Sequence, residues 1–240
     1  MKYKIGVYGS NIAEGEEAVQ LAQALGTELA RNNVIVITGA CSGMPYAVAS
    51  AAKRQGAKVW GFSPELGEAA QKSAYPHDDI TIYAKLFYVP QRHAELFFLD
   101  KPLPSPLSWS ARLKYRNVVS TIHADVDIII SGGWGSLSEF TNLLYDGKPI
   151  GALTGTGGVA DELPRWFPKL RKKSESHVCF SRSPAEVVAL LLPLTREALH
   201  KSERENSRTP SGGLNSSTTR FLVSRVWLRC PLPDGLEFSL

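Results

Sequence analysis

Ile128-Ile-Ile-Ser131-Gly-Gly-Trp-Gly-Ser136-Leu-Ser-Glu139-Phe140 is the stretch that decides the fold. A β-branched apolar run reaches a glycine turn, and helical spacing follows at once. Gly132, Gly133 and Gly135 leave backbone N–H groups free of side-chain crowding. Those donors, with the positive end of the helix, form an anion site suited to a phosphate. Glu139 falls one turn inside the helix, beside the bound group. A phosphate cradle next to a carboxylate points to a nucleotide ligand and to chemistry on it. A second reading stands beside this one. Ser136-x-x-Glu139 also spells a capping box, in which Glu139 only bonds back to the N-cap amide.

Outward from this stretch, strands and helices alternate. Upstream, residues 109 to 123 predict a helix that carries Arg112, Arg116 and Asn117, with the two arginines four apart on one face. At the N-terminus, Tyr3–Tyr8 predicts a strand ending at Gly9-Ser10-Asn11. Residues 15 to 31 predict a helix, with Ala18, Leu21, Ala22, Leu25 and Leu29 at helical spacing. Val34–Ile37 is wholly apolar, as in a strand covered on both faces. Pro45 suits the first turn of a helix running to about Gln55. Lys58–Phe62 predicts a third strand. Downstream come a helix over 136–146, a strand over Lys148–Leu153, a strand over His177–Phe180 and a helix over 184–192. This alternation predicts an α/β, Rossmann-like doubly wound, mostly parallel sheet flanked by helices.

Three segments read less simply. Residues 64 to 108 form an insert in which Ile80–Tyr83 or Leu86–Val89 predicts a strand. Gly155-Thr-Gly-Gly-Val-Ala160 has a G-x-G-x-x-A pattern, but no acidic residue ends a second strand about 20 positions on, as a dinucleotide site requires. It reads as a flexible turn. From about residue 195 the chain turns polar, with Lys201–Thr219 rich in Ser, Arg, Glu and Asn. Residues 196–240 are therefore expected to be a disordered tail, and 1–195 the folded domain.

The glycine stretch resembles the signature of the Lonely Guy (LOG) family, Pro-Gly-Gly-x-Gly-Thr-x-x-Glu. Gly132, Gly133, Gly135 and Glu139 match it, while Ser131 stands in the place of the Pro and Ser136 in that of the Thr. Arg116-Asn117 resembles the family's Arg-Lys on the preceding helix. Ile5-Gly-Val-Tyr-Gly9-Ser10 and Ile37-Thr-Gly39-Ala-Cys-Ser-Gly43-Met-Pro45 resemble its two N-terminal loops, with Ala40 and Cys41 diluting the second. Together these resemble a divergent branch of a superfamily that also holds DNA-processing protein A (DprA) relatives and molybdenum cofactor carrier proteins. The resemblance covers about residues 3 to 193.

It implies a phosphoribohydrolase that frees the base from a nucleoside 5′-monophosphate. Glu139 would stabilise the oxocarbenium-like sugar or orient water, and Arg116 would hold the phosphate or assist the leaving base. Gly9, Ser10, Gly39, Ala40, Gly43, Met44, Asn117, Ser131, Gly132, Gly133, Gly135 and Ser136 would bind the ligand. The alternative is a non-catalytic carrier or sensor of a phosphorylated ligand such as a nucleotide or molybdopterin.

Composition narrows the classes. A net charge of +4 over 240 residues gives no argument for nucleic acid, so the expected partner is a small nucleotide-like molecule. Lys169, Arg171, Lys172 and Lys173 read as a solvated helix end. Cys41, Cys179 and Cys230 form no disulfide framework and fit a reducing, cytoplasmic setting. No Cys/His group has metal-ligand spacing, and neither metal nor cofactor is expected. No apolar run approaches the ~18 residues of a membrane span, and Met1-Lys-Tyr-Lys leads straight into a strand without a signal peptide. Trp109, Leu113, Val118 and Val119 give the 109–123 helix more apolar surface than one sheet face needs, which predicts a homodimer or higher homo-oligomer. Cys41 in its loop lacks a neighbouring histidine, and His77-Asp-Asp79 is explained by loop polarity.

Overall fold

The structure, a computed structural model, describes residues 2–89, 108–170 and 174–195. Seven strands form one sheet: β1 (Lys4–Gly9), β2 (Ile35–Thr38), β3 (Lys58–Ser63), β4 (Lys85–Tyr88), β5 (Val126–Ile130), β6 (Ile150–Leu153) and β7 (Val178–Ser181). Every pairing is parallel, in the order β4-β3-β2-β1-β5-β6-β7. The helices are α1 (Glu16–Arg31), α2 (Met44–Arg54), α3 (Glu68–Ala74), α4 (Trp109–His123), α5 (Trp134–Asp146), α6 (Gly158–Trp166) and α7 over 184–195. Within the insert, Lys85–Tyr88 is the strand, whereas Ile80–Ile82 closes a 3-10 turn capped by Asp79.

Alternation along the strands sends side chains to two cores. Ile5, Val7, Val36, Val59, Val126, Ile128 and Ile130 meet α1, α2 and Val187, Val188 and Leu191 of α7. Tyr8, Ile129, Ile150 and Ala152 meet Phe140 and Leu143 of α5 and Ala160 and Leu163 of α6. Ile37 and Phe62 pack near Val119 of α4. The wholly apolar strands thus follow from burial on both faces. Among the described residues no helix is long and apolar enough to cross a membrane. Cys41 and Cys179 are free and buried, and among the described residues no group of three or more His, Cys, Asp or Glu is placed to hold a metal.

The strand order fixes where a ligand can sit. From β1 the chain winds outward through β2, β3 and β4, then returns to the other side of β1 as β5. In open α/β sheets the crevice at such a reversal, beyond the carboxyl ends of the strands, is the ligand site. Here that crevice lies where β1 ends at Gly9 and β5 ends at Ile130, with Gly9 paired to Ile130.

α7 reaches further than its apolar spacing predicts. Thr195 is fully buried, and its hydroxyl donates to the Leu191 carbonyl at 2.8 Å. The expected tail, 196–240, lies outside the described residues. A chain ended after Thr195 is expected to melt within about 2 °C of the full chain, because the polar composition of 201–219 supplies little apolar surface to bury. A drop of several degrees in calorimetry would show that Phe221–Leu228 packs on the domain.

Candidate functional site

At the switch point lies a cavity of about 390 Å³. Its floor is the ends of β1 and β2 and the first turn of α5. Of the expected residues, Gly9, Ser10, Gly39, Arg116, Gly133, Gly135, Ser136 and Glu139 line it. Four elements far apart in sequence thus converge on one cleft.

The start of α5 differs from the capping-box reading. The helix begins at Trp134, and its N-cap is Gly133, with no side chain capping it. Ser136 is therefore inside the first turn, and Glu139 lies deeper still and does not serve an N-cap amide. Gly133, Gly135 and Ser136, at the helix start where N–H groups lack an intrahelical carbonyl, line the cavity.

Glu139 and Arg116 meet at the bottom of the cleft. Glu139 Oε1 and Arg116 Nη1 are 3.9 Å apart, with both side chains buried. That separation is an ion pair and too long for a hydrogen bond. Burial raises the Glu139 carboxyl to about 7, against the opposing pull of the Arg116 charge. The carboxyl is thus poised between protonation states near neutral pH. Arg116 Nε is buried without a hydrogen-bond partner. Gly39 makes room for this guanidinium: a Cβ there would stand 1.4 Å from Arg116 Nη1.

Several expected ligand contacts build the walls instead of lining them. Ser131, at φ 50°, and Gly132, at φ 98°, shape the turn. The Ser131 amide donates to Thr156 Oγ1 at 2.8 Å, and its hydroxyl donates to Glu14 at 2.6 Å. The Gly132 carbonyl accepts from the Val159 amide at 2.8 Å, and the Ser131 carbonyl from Ala160 at 3.1 Å. Gly155–Gly158 is thus a brace under the glycine turn. Asp161 holds it by accepting from the Gly155 and Gly157 amides at 2.6 and 3.1 Å.

Ala40, at φ 50°, takes its turn with the Thr38 hydroxyl accepting from its amide and Gln71 donating to its carbonyl. Gly43 packs against the backbone of Asn11, and the Met44 amide donates to the Ser10 carbonyl at 2.9 Å. Asn117 is buried in α4 away from the cavity lining. These contacts hold the β1, β2 and β5 loops in register.

Arg112 does not join Arg116. It donates to the Pro64 carbonyl at 2.8 Å and pairs with Glu65 at 3.4 Å, and Glu65 also accepts from the Trp109 indole at 3.3 Å. Asp78 accepts from Ser42 at 2.7 Å and Asp79 caps the 3-10 turn, which gives both a local role. Cys41 lines the cavity, yet burial raises its thiol, so it stays protonated and a poor nucleophile.

Sequence reasoning missed Tyr8, Asn11, Pro45, Tyr75, Trp109, Leu113 and Trp134 as lining residues. Trp134 alone carried a signal, since it occupies the variable place inside the glycine motif. Tyr8 stands over a second missed feature. Asp127, fully buried one strand away, is raised well above the usual carboxylate range by burial, against the pull of Lys148 and of the Tyr8 hydroxyl.

Fold and cleft together define a Rossmann-like α/β protein with a cavity at its switch point. Residues 2–92 match the model of the SLOG cluster4 family. In curated proteins no sequence match is found. Solved structures share the fold. TM1055, a structural-genomics target, is 21% identical with a TM-score of 0.60, over 79% of this chain and 98% of its own. The molybdenum cofactor binding protein of Rippkaea orientalis is 20% identical with a TM-score of 0.56, over 79% of this chain and 95% of its own. DNA processing protein A of Streptococcus pneumoniae is 15% identical with a TM-score of 0.56, over 79% of this chain and 62% of its own. At these identities the likeness is one of fold. With a DNA processing protein among the neighbours, the expectation that nucleic acid plays no part gains no support.

Proposed function

We propose that the cleft binds a nucleoside 5′-monophosphate-like ligand and hydrolyses its N-glycosidic bond, giving free base and ribose 5-phosphate. The observation that carries this reading is Glu139, a buried carboxyl raised to about 7 and paired with Arg116 beside a helix N-terminus. The phosphate sits on the amides at the start of α5, and Arg116 supplies a fixed positive charge. As the C1′–N bond breaks, its electrons leave with the base and the sugar gains positive charge. Ionised Glu139 stabilises that charge and takes a proton from the attacking water, whose oxygen bonds C1′, and that proton then passes to the departing base, which regenerates the carboxylate. The resemblance of Gly132, Gly133, Gly135, Glu139 and Arg116 to the LOG signature supports the same chemistry.

The pH profile tests this. For base release from a nucleoside 5′-monophosphate, kcat/KM should inflect near pH 7, with activity rising as Glu139 ionises. A flat profile from pH 5.5 to 8.5 would contradict the role given to this carboxyl.

The likeness to a molybdenum cofactor binding protein favours a second reading, in which the same cradle carries a phosphorylated ligand unchanged. Binding without base release separates the two.

We also propose that the protein pairs with a second copy. Val118 and Ile122 on α4 and Tyr145 on α5 are exposed, Ile122 by 58%, and α4 packs beside α5. A two-fold contact through these helices would cover the apolar row. Light scattering at micromolar concentration is expected to give at least twice the chain mass. A monomeric mass would contradict it.

A further inference from the structure

Trp134 is the most exposed large apolar side chain among the described residues, at 89%. It is the first residue of α5, next to Gly133, and it lines the cavity that holds Arg116 and Glu139. A solvated indole at that point forfeits the burial that normally places tryptophan inside. Tyr75 and Trp109 line the same cavity and add aromatic surface to it. Trp109 is held in place by its indole N–H bond to Glu65, at 3.3 Å. The cleft therefore joins two different surfaces: an anion cradle at its floor and a free flat aromatic face at its rim.

We propose that Trp134 is the stacking platform for a planar heteroaromatic ring, and that it selects ring-bearing phosphorylated ligands over phosphosugars without a ring. The proposal rests on the ligand-binding part of the reading above, not on turnover. Stacking on an indole face is tolerant of ring identity because every heteroaromatic base offers a π-face. Trp134 thus sets the class of ligand, and hydrogen-bonding groups elsewhere in the cleft set which ring is preferred.

Calorimetric titration of adenosine 5′-monophosphate and ribose 5-phosphate into wild type and Trp134→Ala tests this, with mass by light scattering alongside. The expected result is a loss of roughly 10- to 100-fold in affinity for the nucleotide, no change beyond about 2-fold for the phosphosugar, and unchanged mass. Trp134→Phe should restore most of the nucleotide affinity. Equal losses for both ligands, or no loss for either, would overturn the proposal. So would a mass that falls to the monomer with nucleotide affinity intact, since the indole would then serve the contact between copies. Wild type that binds neither ligand overturns both this proposal and the binding reading. Wild type that binds the nucleotide but frees no base ends the hydrolase reading and leaves the platform standing.

Discussion

Glu139→Gln is expected to abolish base release and make the protein more stable. The rate loss should be at least ~100-fold, the scale of removing one preorganised charge from a transition state. The stability change follows from the raised carboxyl, which moves from 4.5 to about 7 on folding. Between those values the folded protein holds a proton that the unfolded chain has released. Stability therefore falls as pH rises through this window, and the whole penalty is present above it. A glutamine carries no such penalty, and its amide oxygen still faces Arg116. The variant should gain on the order of 3 kcal/mol at pH 8, or roughly 10 °C in Tm, and almost nothing below pH 4.5. A capping role would give the opposite sign, a loss of ~1 kcal/mol at any pH. Calorimetry at pH 4.5 and pH 8 reads the difference directly. A lower Tm at pH 8 with retained base release would contradict the site as drawn.

The second large effect belongs to Arg116 and the glycine beneath it. Arg116→Ala removes the fixed charge, and nucleotide affinity should fall roughly 10- to 100-fold, the range of a charge-assisted contact. Gly39→Ala should do nearly the same without touching the arginine. The added Cβ would lie 1.4 Å from Nη1 and 2.7 Å from Cζ, so the guanidinium must swing away. Because the obstacle is the end of a flexible side chain, the fold should bear it, with Tm within about 2 °C of wild type. Both variants should also move the pH inflection upward, since the Arg116 charge is what holds the Glu139 carboxyl down. Wild-type affinity in Gly39→Ala would show that Arg116 does not hold the ligand from this position.

The sequence made the scaffold legible because its signals were local. Apolar β-branched runs such as Val126–Ile130 and helical spacing such as Ala18–Leu29 report burial directly, and the strands and helices they predict are the ones found. Arg116, Glu139 and the glycine loop were legible through motif resemblance, and they do converge. The direction of individual loop residues was not. Ser131 and Ala40 adopt positive φ, which L side chains rarely do, so their identity gave no warning that they would form turns instead of contacts. Ser131 is turned from the cleft by Glu14 and Thr156, partners 117 and 25 residues away. The capping box failed for a related reason. α5 starts at Trp134, two residues before Ser136, with Gly133 as its N-cap, because Gly132 closes against Ser136 and is braced by α6. Tyr75 and Trp109 come from the region around the insert, where spacing carried no site signal.

Whether this cleft takes a phosphorylated, ring-bearing ligand on which Glu139 acts is tested by incubating the purified protein with a panel of nucleoside 5′-monophosphates, with free base and bound ligand measured in the same samples. Saturable binding is expected, with release of base matched by ribose 5-phosphate in equal amount. Tight binding with no base released from any nucleotide would contradict the catalytic claim, and the absence of both would contradict the site itself.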